Sequence, residues 1–209
     1  MNKSALAFLK DLLSQALAKV QTLEHVCDGG LFPTFPKVYL AESTGCALPN
    51  SVHDLFPGSG GSATKAGAKM QAVWDYKSSV FAHVALTPWN IPDQQYIDSV
   101  VAFVQKGALC IFDVGYCKVK AFARIADAGA YFLSRLHHQT TILHREAERL
   151  QPLDLASFLT TVTAPCDEPP IFLGAKERVA CRLLASRVPE PMVNIHYRTL
   201  FLSLYDMSV

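Results

Sequence analysis

The stretch that decides the fold is Ala108-Leu109-Cys110-Ile111-Phe112-Asp113-Val114-Gly115-Tyr116, in which five apolar or small residues run into one carboxylate. A short continuous apolar run is typical of a strand that is buried on both faces. Such a strand tolerates a charge only at its end, so Asp113 marks the point where the strand leaves the core, and Gly115 lets the chain turn there. Because ligands of open α/β sheets bind beyond the carboxyl ends of the strands, Asp113 is a candidate site residue. The alternative is that Asp113 only caps the helix that follows.

The same arrangement occurs earlier in the chain. Residues 38–41 predict a short strand, and Glu42 follows at its end. Residues 69–86 then predict two strands with a turn at 77–79, because apolar side chains alternate on either side of that turn. The sequence therefore delivers carboxylates to the ends of two strands, one on each side of a hairpin.

The elements around the Asp113 strand predict an α/β fold. Apolar stripes predict a helix that starts near Asp93 and ends at Gly107, and a second helix that starts after Tyr116 and ends at Gly129. Residues 130–133 predict a further strand. Strand–helix–strand units imply parallel pairing, whereas the hairpin is antiparallel. A mixed sheet with flanking helices and acids at two strand ends resembles the ribonuclease H-like arrangement.

Four segments are predicted along the chain. Residues 1–30 form an N-terminal helical segment, because leucines recur at helical spacing over 4–24. This helix either docks on the core or is the end of a larger helical domain. Residues 37–136 form a partial ribonuclease H-like core, and residues 137–192 form part of a β-rich insertion. Residues 193–209 show no clear periodicity and are predicted to be an irregular tail.

Composition and short motifs exclude several classes of protein. The hydrophobic fraction of 50% is enough to fill a core, and the formal net charge of +1 predicts no partner by itself. The six cysteines include no C-x-x-C pair, which argues against a zinc ribbon and a disulfide framework. The glycine-rich stretch 56–62 lacks the Gly-Lys-Ser/Thr ending of a nucleotide-binding loop. With no signal peptide or spanning segment, the sequence predicts a cytoplasmic protein without membrane contact.

Six motifs, in order and at matching spacing, resemble the DDE transposases of bacterial insertion sequences from Val38 to about Pro189. Each motif is weak alone, and their combination is fairly specific. Relative to that family, this chain resembles a copy truncated at both ends. The motifs are Tyr39-Leu40-Ala41-Glu42-Ser43-Thr44, Leu55-Phe56-Pro57-Gly58-Ser59-Gly60-Gly61, Lys69-Met70-Gln71-Ala72-Val73-Trp74-Asp75, Leu86-Thr87-Pro88-Trp89-Asn90 with Asp93, Phe112-Asp113-Val114-Gly115-Tyr116 and Ala130-Tyr131-Phe132-Leu133-Ser134-Arg135.

The resemblance implies metal-dependent cleavage and transfer of DNA strands at transposon ends, in a nucleoid-associated protein. In such enzymes three acids hold two divalent metals, and Mg²⁺ is the expected ion because it prefers oxygen ligands. Asp113 matches the second acid of the triad, and Glu42 stands where the family has its first acid. The implied partners are the DNA of the transposon ends and either a homo-oligomer or a full-length transposase.

Two departures from the family pattern bear on activity. The first acid is normally Asp, and the extra methylene of Glu42 moves the carboxylate by about 1.5 Å. A displacement of a catalytic group by about 1 Å can lower the reaction rate roughly a hundredfold. Asp54 and Asp75 are candidate substitutes, although neither lies in the matching motif. The third acid is normally in a Tyr-x-x-Arg-x-x-x-Glu segment, which this sequence lacks. Either the third acid is absent, or Glu148 in a helical stretch 144–149 replaces it, or these residues are a solvated charged surface.

Basic residues between 118 and 149 are candidate phosphate contacts. Arg135 is the strongest candidate because it lies at the end of a predicted strand, close to the predicted acids. The next candidates are Lys118, Lys120 and Arg124, which belong to the helix predicted before that strand. Solvated helix faces explain the same charges. The pair His137-His138 points to opposite faces if it is in a strand, which argues against a metal site.

Three hypotheses for the function follow. The first is a DDE transposase fragment with an inactive or impaired catalytic site. The second is a non-catalytic DNA-binding remnant, or an inhibitor of transposition that pairs with a full-length transposase. The third is a ribonuclease H-like nuclease that completes its site with Glu148.

Overall fold

A computed structural model describes residues 31–60, 65–137, 139–162, 166–186 and 200–203, together with Asp11, Leu12 and Gln15. These last three residues are helical, and the side-chain amide of Gln15 donates to Asp11 Oδ2 at 2.9 Å. The rest of the N-terminal helix predicted for residues 4–24 lies outside the described part of the chain.

Five strands form the core of a mixed sheet. They are β1 (Val38–Leu48), β2 (Ala66–Asp75), β3 (Val80–Pro88), β4 (Leu109–Phe112) and β5 (Tyr131–Arg135). They lie in the order β3-β2-β1-β4-β5, with β1 antiparallel to β2 and parallel to β4, and with β4 parallel to β5. This is the ribonuclease H-like arrangement, so the predicted fold class is confirmed. Strand β1 continues seven residues past the predicted end, because the whole of β2 pairs with it.

Two helices cover one face of this sheet. Helix α1 (Asp93–Val101) follows the hairpin and helix α2 (Val119–Asp127) connects β4 to β5. The buried core lies between them and the sheet, where the Phe122 and Phe132 rings stack with centroids 4.4 Å apart. Helix α1 ends at Val101, before the predicted Gly107, and the Phe103 N–H donates to the Val100 carbonyl at 3.2 Å, which closes a tighter turn instead of continuing the helix. None of the helices in the described part of the chain is long and apolar enough to cross a membrane.

The chain beyond β5 is mostly strand. The elements are β6 (Ile142–Glu146), β7 (Arg149–Pro152), α3 (Leu155–Thr161), β8 (Cys166–Asp167), β9 (Pro170–Leu173), β10 (Val179–Ser186) and β11 (Leu200–Ser203). These strands extend the sheet in the order β5-β11-β10-β9-β6-β7, with β8 beside β10. Apolar residues alternate along β10, where Val179, Cys181, Leu183 and Ala185 are all buried.

The prediction of an irregular tail over 193–209 is wrong for Leu200–Ser203. These four residues form β11, which pairs with β5 on one side and with β10 on the other. A four-residue strand is too short to show a periodicity in the sequence, and its position is set by the two strands that it joins.

The sheet face opposite α1 and α2 carries apolar side chains that the described residues leave exposed. Met70 on β2 and Phe81, Val84 and Leu86 on β3 are between 42% and 64% exposed. The cross-strand pairs Met70–Leu86 and Trp74–Phe81 place this patch on the face from which Glu42 also projects, because Glu42 pairs with Ala72.

Candidate active site

Glu42 and Asp113 lie next to each other at one edge of the core. Strands β1 and β4 are parallel, and Ala41 pairs with Phe112, so the next residue of each strand is an acid. Neighbouring strands are about 4.8 Å apart. Because Ala41 and Phe112 are buried in the core, both carboxylates project from the opposite face of the sheet. The prediction that Glu42 ends a strand is wrong, because β1 runs on to Leu48, whereas Asp113 does follow the last residue of β4. The parallel pairing of β1 with β4 is therefore what brings the two acids together.

The Asp113 side chain does not act as a helix cap. Asp113 precedes a short 3-10 helix, Val114–Tyr116, but its side chain makes no capping hydrogen bond there. Instead Arg135 Nη1 donates to Asp113 Oδ1 at 3.1 Å. Arg135 arrives at this position because β5 is parallel to β4 and Ser134 pairs with Phe112. Of the two roles predicted for Asp113, the structure therefore rules out capping.

The ion pair between Arg135 and Asp113 remains open to solvent. The side chain of Arg135 is 39% exposed and that of Asp113 is 43% exposed. Exposed pairs of this kind contribute little to stability, typically about 0–1 kcal/mol. An anion or a cation from solution can therefore compete for either partner at small energetic cost.

The Glu42 carboxylate folds back on its own strand. Its Oε1 accepts a hydrogen bond from the backbone N–H of Ser43 at 2.9 Å, and the residue is exposed. The second carboxylate oxygen is available for other ligands. The two carboxylates thus differ in their partners: Asp113 is held by a guanidinium and Glu42 by a backbone amide.

The donor set fits one hard cation. Mg²⁺ is commonly held by one or two carboxylates, with water and substrate phosphates completing its octahedron, and Glu42 with Asp113 supplies two carboxylates. Within the described residues, no three His, Cys, Asp or Glu side chains are grouped so that they could hold a metal ion. The residues described here therefore do not supply the third acid of a two-metal site.

Glu148 does not join the two acids. The prediction of a helix over 144–149 is wrong, because these residues form the hairpin of β6 and β7, and Glu148 lies in its turn. In the sheet order β6 and β7 are the strands farthest from β3, and four strands separate β6 from β4. The charged residues on the two strands and in the turn of this hairpin resemble a charged helix face in the sequence, which explains the error.

The other basic candidates are placed apart from Arg135. Lys118 and Arg124 both pair with Asp98 of α1, with Nζ–Oδ2 at 2.6 Å and Nη1–Oδ1 at 3.0 Å. Asp98 offsets part of their positive charge, and hydrogen bonding from Lys118 is the main cause that lowers the pKa of Asp98. Lys120 is exposed on α2. Two of these three residues thus have an acidic partner of their own.

The two substitute acids serve other purposes. Asp54 is exposed in the turn after a short 3-10 helix. Asp75 pairs with Tyr39, three residues before Glu42 on β1, and it is nearly completely buried. Its Oδ2 accepts from Lys37 Nζ and from Ser78 Oγ, both at 2.5 Å. Asp75 therefore fixes the β2–β3 turn to the start of β1.

Replacing Asp75 with asparagine is expected to remove part of the acid sensitivity of folding. Burial opposes ionisation, but hydrogen bonds from Lys37 and Ser78 outweigh it and lower the pKa of Asp75. A carboxyl whose pKa is lower in the folded chain stabilises it above the unfolded-state pKa of about 3.9, and this contribution is lost as pH falls through the folded-state pKa. Urea unfolding at pH 7 and pH 3 measures it, with Asp54→Asn as control. The same loss for Asp75→Asn at both pH values would contradict the assignment.

A buried polar network, which the sequence did not reveal, lies behind the two acids. Tyr116 Oη donates to Gln71 Oε1 at 2.5 Å, and Gln71 Nε2 donates to Asp93 Oδ1 at 2.7 Å. Lys69 Nζ donates to the same Asp93 oxygen at 2.9 Å. The signal in the sequence was Gln71, which alternates with Lys69, Val73 and Asp75 on one side of β2 and thus places polar side chains on a partly apolar face.

The tryptophans have packing roles. Trp89 lies against two glycines of β1 and β2, since a Cβ on Gly67 would approach Trp89 Cε3 to 2.4 Å and one on Gly45 would approach Cε2 to 3.0 Å. Trp74 packs edge-on against Phe81 at 4.9 Å. The indole of Trp89 thus explains why glycine occupies both positions.

Comparison with known proteins gives one consistent family. The model of the family described as "Transposase DDE domain" matches residues 33–165. The transposase for insertion sequence element IS231E of Bacillus thuringiensis subsp. finitimus is 30% identical over 140 residues, which are 65% of this chain and 28% of that protein. The transposase for insertion sequence element IS1151 of Clostridium perfringens is 20% identical over 205 residues, which are 90% of this chain and 43% of that protein.

This chain spans less than half of the length of either relative. Among solved structures, a cryo-EM structure of a piggyBac transposase synaptic complex with hairpin DNA is similar with a TM-score of 0.47 and 10% identity. The similarity covers 84% of this chain and 35% of that one.

Proposed function

This chain belongs to the transposase DDE domain family, and we propose that it carries the first part of a DNA-cleaving site in which Glu42 and Asp113 hold a divalent cation. The observation that carries the proposal is the placement of both acids at adjacent positions on two parallel strands, on one face of a ribonuclease H-like sheet. The reaction class is phosphoryl transfer on DNA: an oxygen nucleophile attacks a backbone phosphorus, and the bond to the leaving 3′ or 5′ oxygen breaks.

The chemistry of the donor set supports Mg²⁺ as the cation. When bound, the ion supplies charge neutralisation at the phosphate and a water of lowered pKa. Glu42 and Asp113 would hold the cation at a fixed position, and the attacking and leaving oxygens would be oriented relative to it. A second ion, as the two-metal scheme requires, depends on a further acid that the described residues do not provide.

Arg135 is the proposed phosphate contact. Its guanidinium is paired with the Asp113 carboxylate, so it places a positive charge beside the proposed cation site. A phosphate oxygen that approaches the two acids can bind to this guanidinium. A bidentate guanidinium suits phosphate geometry better than an ammonium does. Lys118, just before α2, and Lys120 and Arg124 on α2 are proposed to contact the DNA backbone outside the cleavage point.

A nicking assay tests the proposed function. Supercoiled plasmid is incubated with the protein in Mg²⁺ or Mn²⁺, and nicked circles are counted over time. We expect the wild-type chain to nick the plasmid and EDTA to abolish this activity. The Glu42→Gln/Asp113→Asn double variant is expected to be inactive. Asp54→Asn is the matched acid-to-amide control and is expected to match wild type. Nicking that survives the double variant would contradict the assignment of the two acids.

The second candidate function is DNA binding without cleavage. It is favoured by the Arg135–Asp113 ion pair and by the lack of a third grouped acid in the described residues. A chain that binds DNA but cannot cut it would inhibit transposition by pairing with a full-length transposase. Plasmid retardation on a gel without any metal-dependent nicking, lost in Arg135→Gln, would support this function over the first.

A further inference from the structure

The network behind the acids connects the three elements that determine their positions. Ser43 directly follows Glu42 on β1 and pairs with Gln71 on β2. Tyr116 ends the turn that begins at Asp113. Its hydroxyl donates to Gln71 Oε1 at 2.5 Å, and Gln71 in turn donates to Asp93 at the start of α1. The same few atoms therefore join the Glu42 strand, the Asp113 turn and the first helix.

Burial and charge determine which group donates and which accepts in each hydrogen bond of this network. Gln71 is 0% exposed and Tyr116 is 1% exposed, so neither can exchange its partner for water. A carboxylate only accepts hydrogen bonds, which obliges Gln71 to present its amide nitrogen to Asp93 and its oxygen to Tyr116. Burial is the main cause that raises the pKa of Tyr116, followed by the Asp93 charge, so the phenol remains protonated and donates. Hydrogen bonding with Ser43 partly offsets this rise.

The turn from Asp113 to Tyr116 is in contact with the Asp93 carboxylate of the network. A Cβ on Gly115 would lie 3.1 Å from Asp93 Oδ2, so the backbone between Asp113 and Tyr116 is in close contact with that carboxylate. Lys69 holds Asp93 from the other side, and its Nζ also donates to the Ile91 carbonyl at 3.0 Å. The position of the Asp113 turn is thereby fixed against β2, and β2 is fixed against Glu42 by the β1 pairing.

We propose that Gln71, Tyr116 and Asp93 are positioning residues that set the spacing of Glu42 and Asp113 and so control divalent-cation affinity. This inference rests on the proposed function only in the identity of the cation site. Residues that orient metal ligands from behind typically change metal affinity by about 10–100-fold when they are altered. None of the three residues projects from the sheet face on which the cation would bind, because Gln71 and Tyr116 are buried on the core side and Asp93 begins α1, which covers that side.

An exchange of charge within the network tests the proposal. Gln71→Glu places two carboxylates face to face and is expected to weaken Mn²⁺ binding by at least about tenfold. Adding Asp93→Asn removes one of the two charges and lets an amide nitrogen, in place of the Oδ1 that now accepts from Gln71, donate to the carboxylate introduced by Gln71→Glu. The hydrogen bond between β2 and α1 is then restored in the opposite direction, while Lys69 keeps its bond to the Ile91 carbonyl. We expect the double variant to recover Mn²⁺ affinity to within about threefold of wild type. Mn²⁺ binding is measured by the loss of the free-ion electron paramagnetic resonance signal.

A second variant separates positioning from stability. Tyr116→Phe removes only the hydroxyl, and it is expected to weaken Mn²⁺ binding by about tenfold under conditions where the chain remains folded. Ile125→Val, a core change in α2 outside the network, is the control and should leave Mn²⁺ affinity unchanged. Equal Mn²⁺ affinity of Tyr116→Phe and wild type, or no recovery in the Gln71→Glu/Asp93→Asn variant, would overturn the proposal.

Hydrogen exchange makes the test independent of metal. The Tyr116 and Cys117 amides donate to Asp113 and Val114 carbonyls within the turn, at 3.0 Å each. We expect their exchange to be at least about tenfold faster in Tyr116→Phe and close to wild type in Ile125→Val. If the wild-type chain binds no Mn²⁺, the proposed function fails, and exchange at these amides alone decides the positioning role. Unchanged exchange in Tyr116→Phe would then overturn it.

Discussion

Replacing Phe132 with alanine is expected to lower the free energy of unfolding by about 3–5 kcal/mol, because removing a buried ring leaves a cavity that close packing cannot fill. Phe132 is 0% exposed and stacks on Phe122 with an interplanar angle of 7°. Phe122 also lies 6.0 Å from Phe112, the residue before Asp113. The loss is a large part of the roughly 5–15 kcal/mol that holds a domain folded.

Urea unfolding followed by circular dichroism measures this effect. Phe81→Ala is the matched control, since Phe81 is 46% exposed on the edge strand β3 and packs mainly on Trp74. We expect a loss of about 1 kcal/mol for the control, typical of one exposed aromatic pair. Equal losses for the two variants would show that the stacked rings are not the centre of the core.

The sequence predicted the core sheet well because each of its strands has a local signal. Apolar runs, a turn after β2 and glycines that end helices are properties of neighbouring residues, and they survive without knowledge of the tertiary structure. Gly129, for example, follows α2 with a φ of 68°, as expected for a residue that ends a helix. The helices on either side of β4 likewise predicted a parallel part of the sheet beside the antiparallel hairpin, and the structure shows that β4 pairs with β1 and β5.

The features that sequence reasoning missed depend on contacts between distant residues. Strand β11 exists because β5 and β10 each need a partner, and its four residues carry no pattern of their own. Glu148 was mistaken for a helical residue because its neighbours are charged, whereas backbone pairing of Arg145 with Leu150 makes a hairpin. The Gln71–Asp93 hydrogen bond joins residues 22 positions apart, and spacing alone does not predict such a contact.

The candidate acids lie between these two cases. The strand-end position of Asp113 could be predicted, whereas Glu42 lies inside β1, and the register of β1 against β4 shows that the two acids are neighbours. The Arg135–Asp113 ion pair was not predicted, although Arg135 was selected for its position. Side-chain partners at an exposed edge depend on rotamers that the sequence does not determine.

Shortening Glu42 to aspartate is expected to raise the metal-dependent nicking rate by up to about a hundredfold, because a displacement of about 1 Å in a positioned group can change a rate by that factor. The longer side chain now bends back to the Ser43 amide, with Oε1 at 2.9 Å from the nitrogen. An aspartate at this position would match Asp113 on the neighbouring strand, and two side chains of equal length bring their oxygens to the same height above the sheet.

The reciprocal change is the control for this argument. Asp113→Glu lengthens the other acid and is expected to lower the nicking rate by a comparable factor, because it moves the second carboxylate away from the same point. Rates are measured at saturating Mg²⁺, and Mn²⁺ affinity is measured in parallel to separate binding from the chemical step. If Glu42→Asp is folded but no faster than wild type, while Asp113→Glu is slower, then Glu42 already holds its oxygen where the reaction needs it. The backbone contact with Ser43 would in that case be what compensates for the additional methylene.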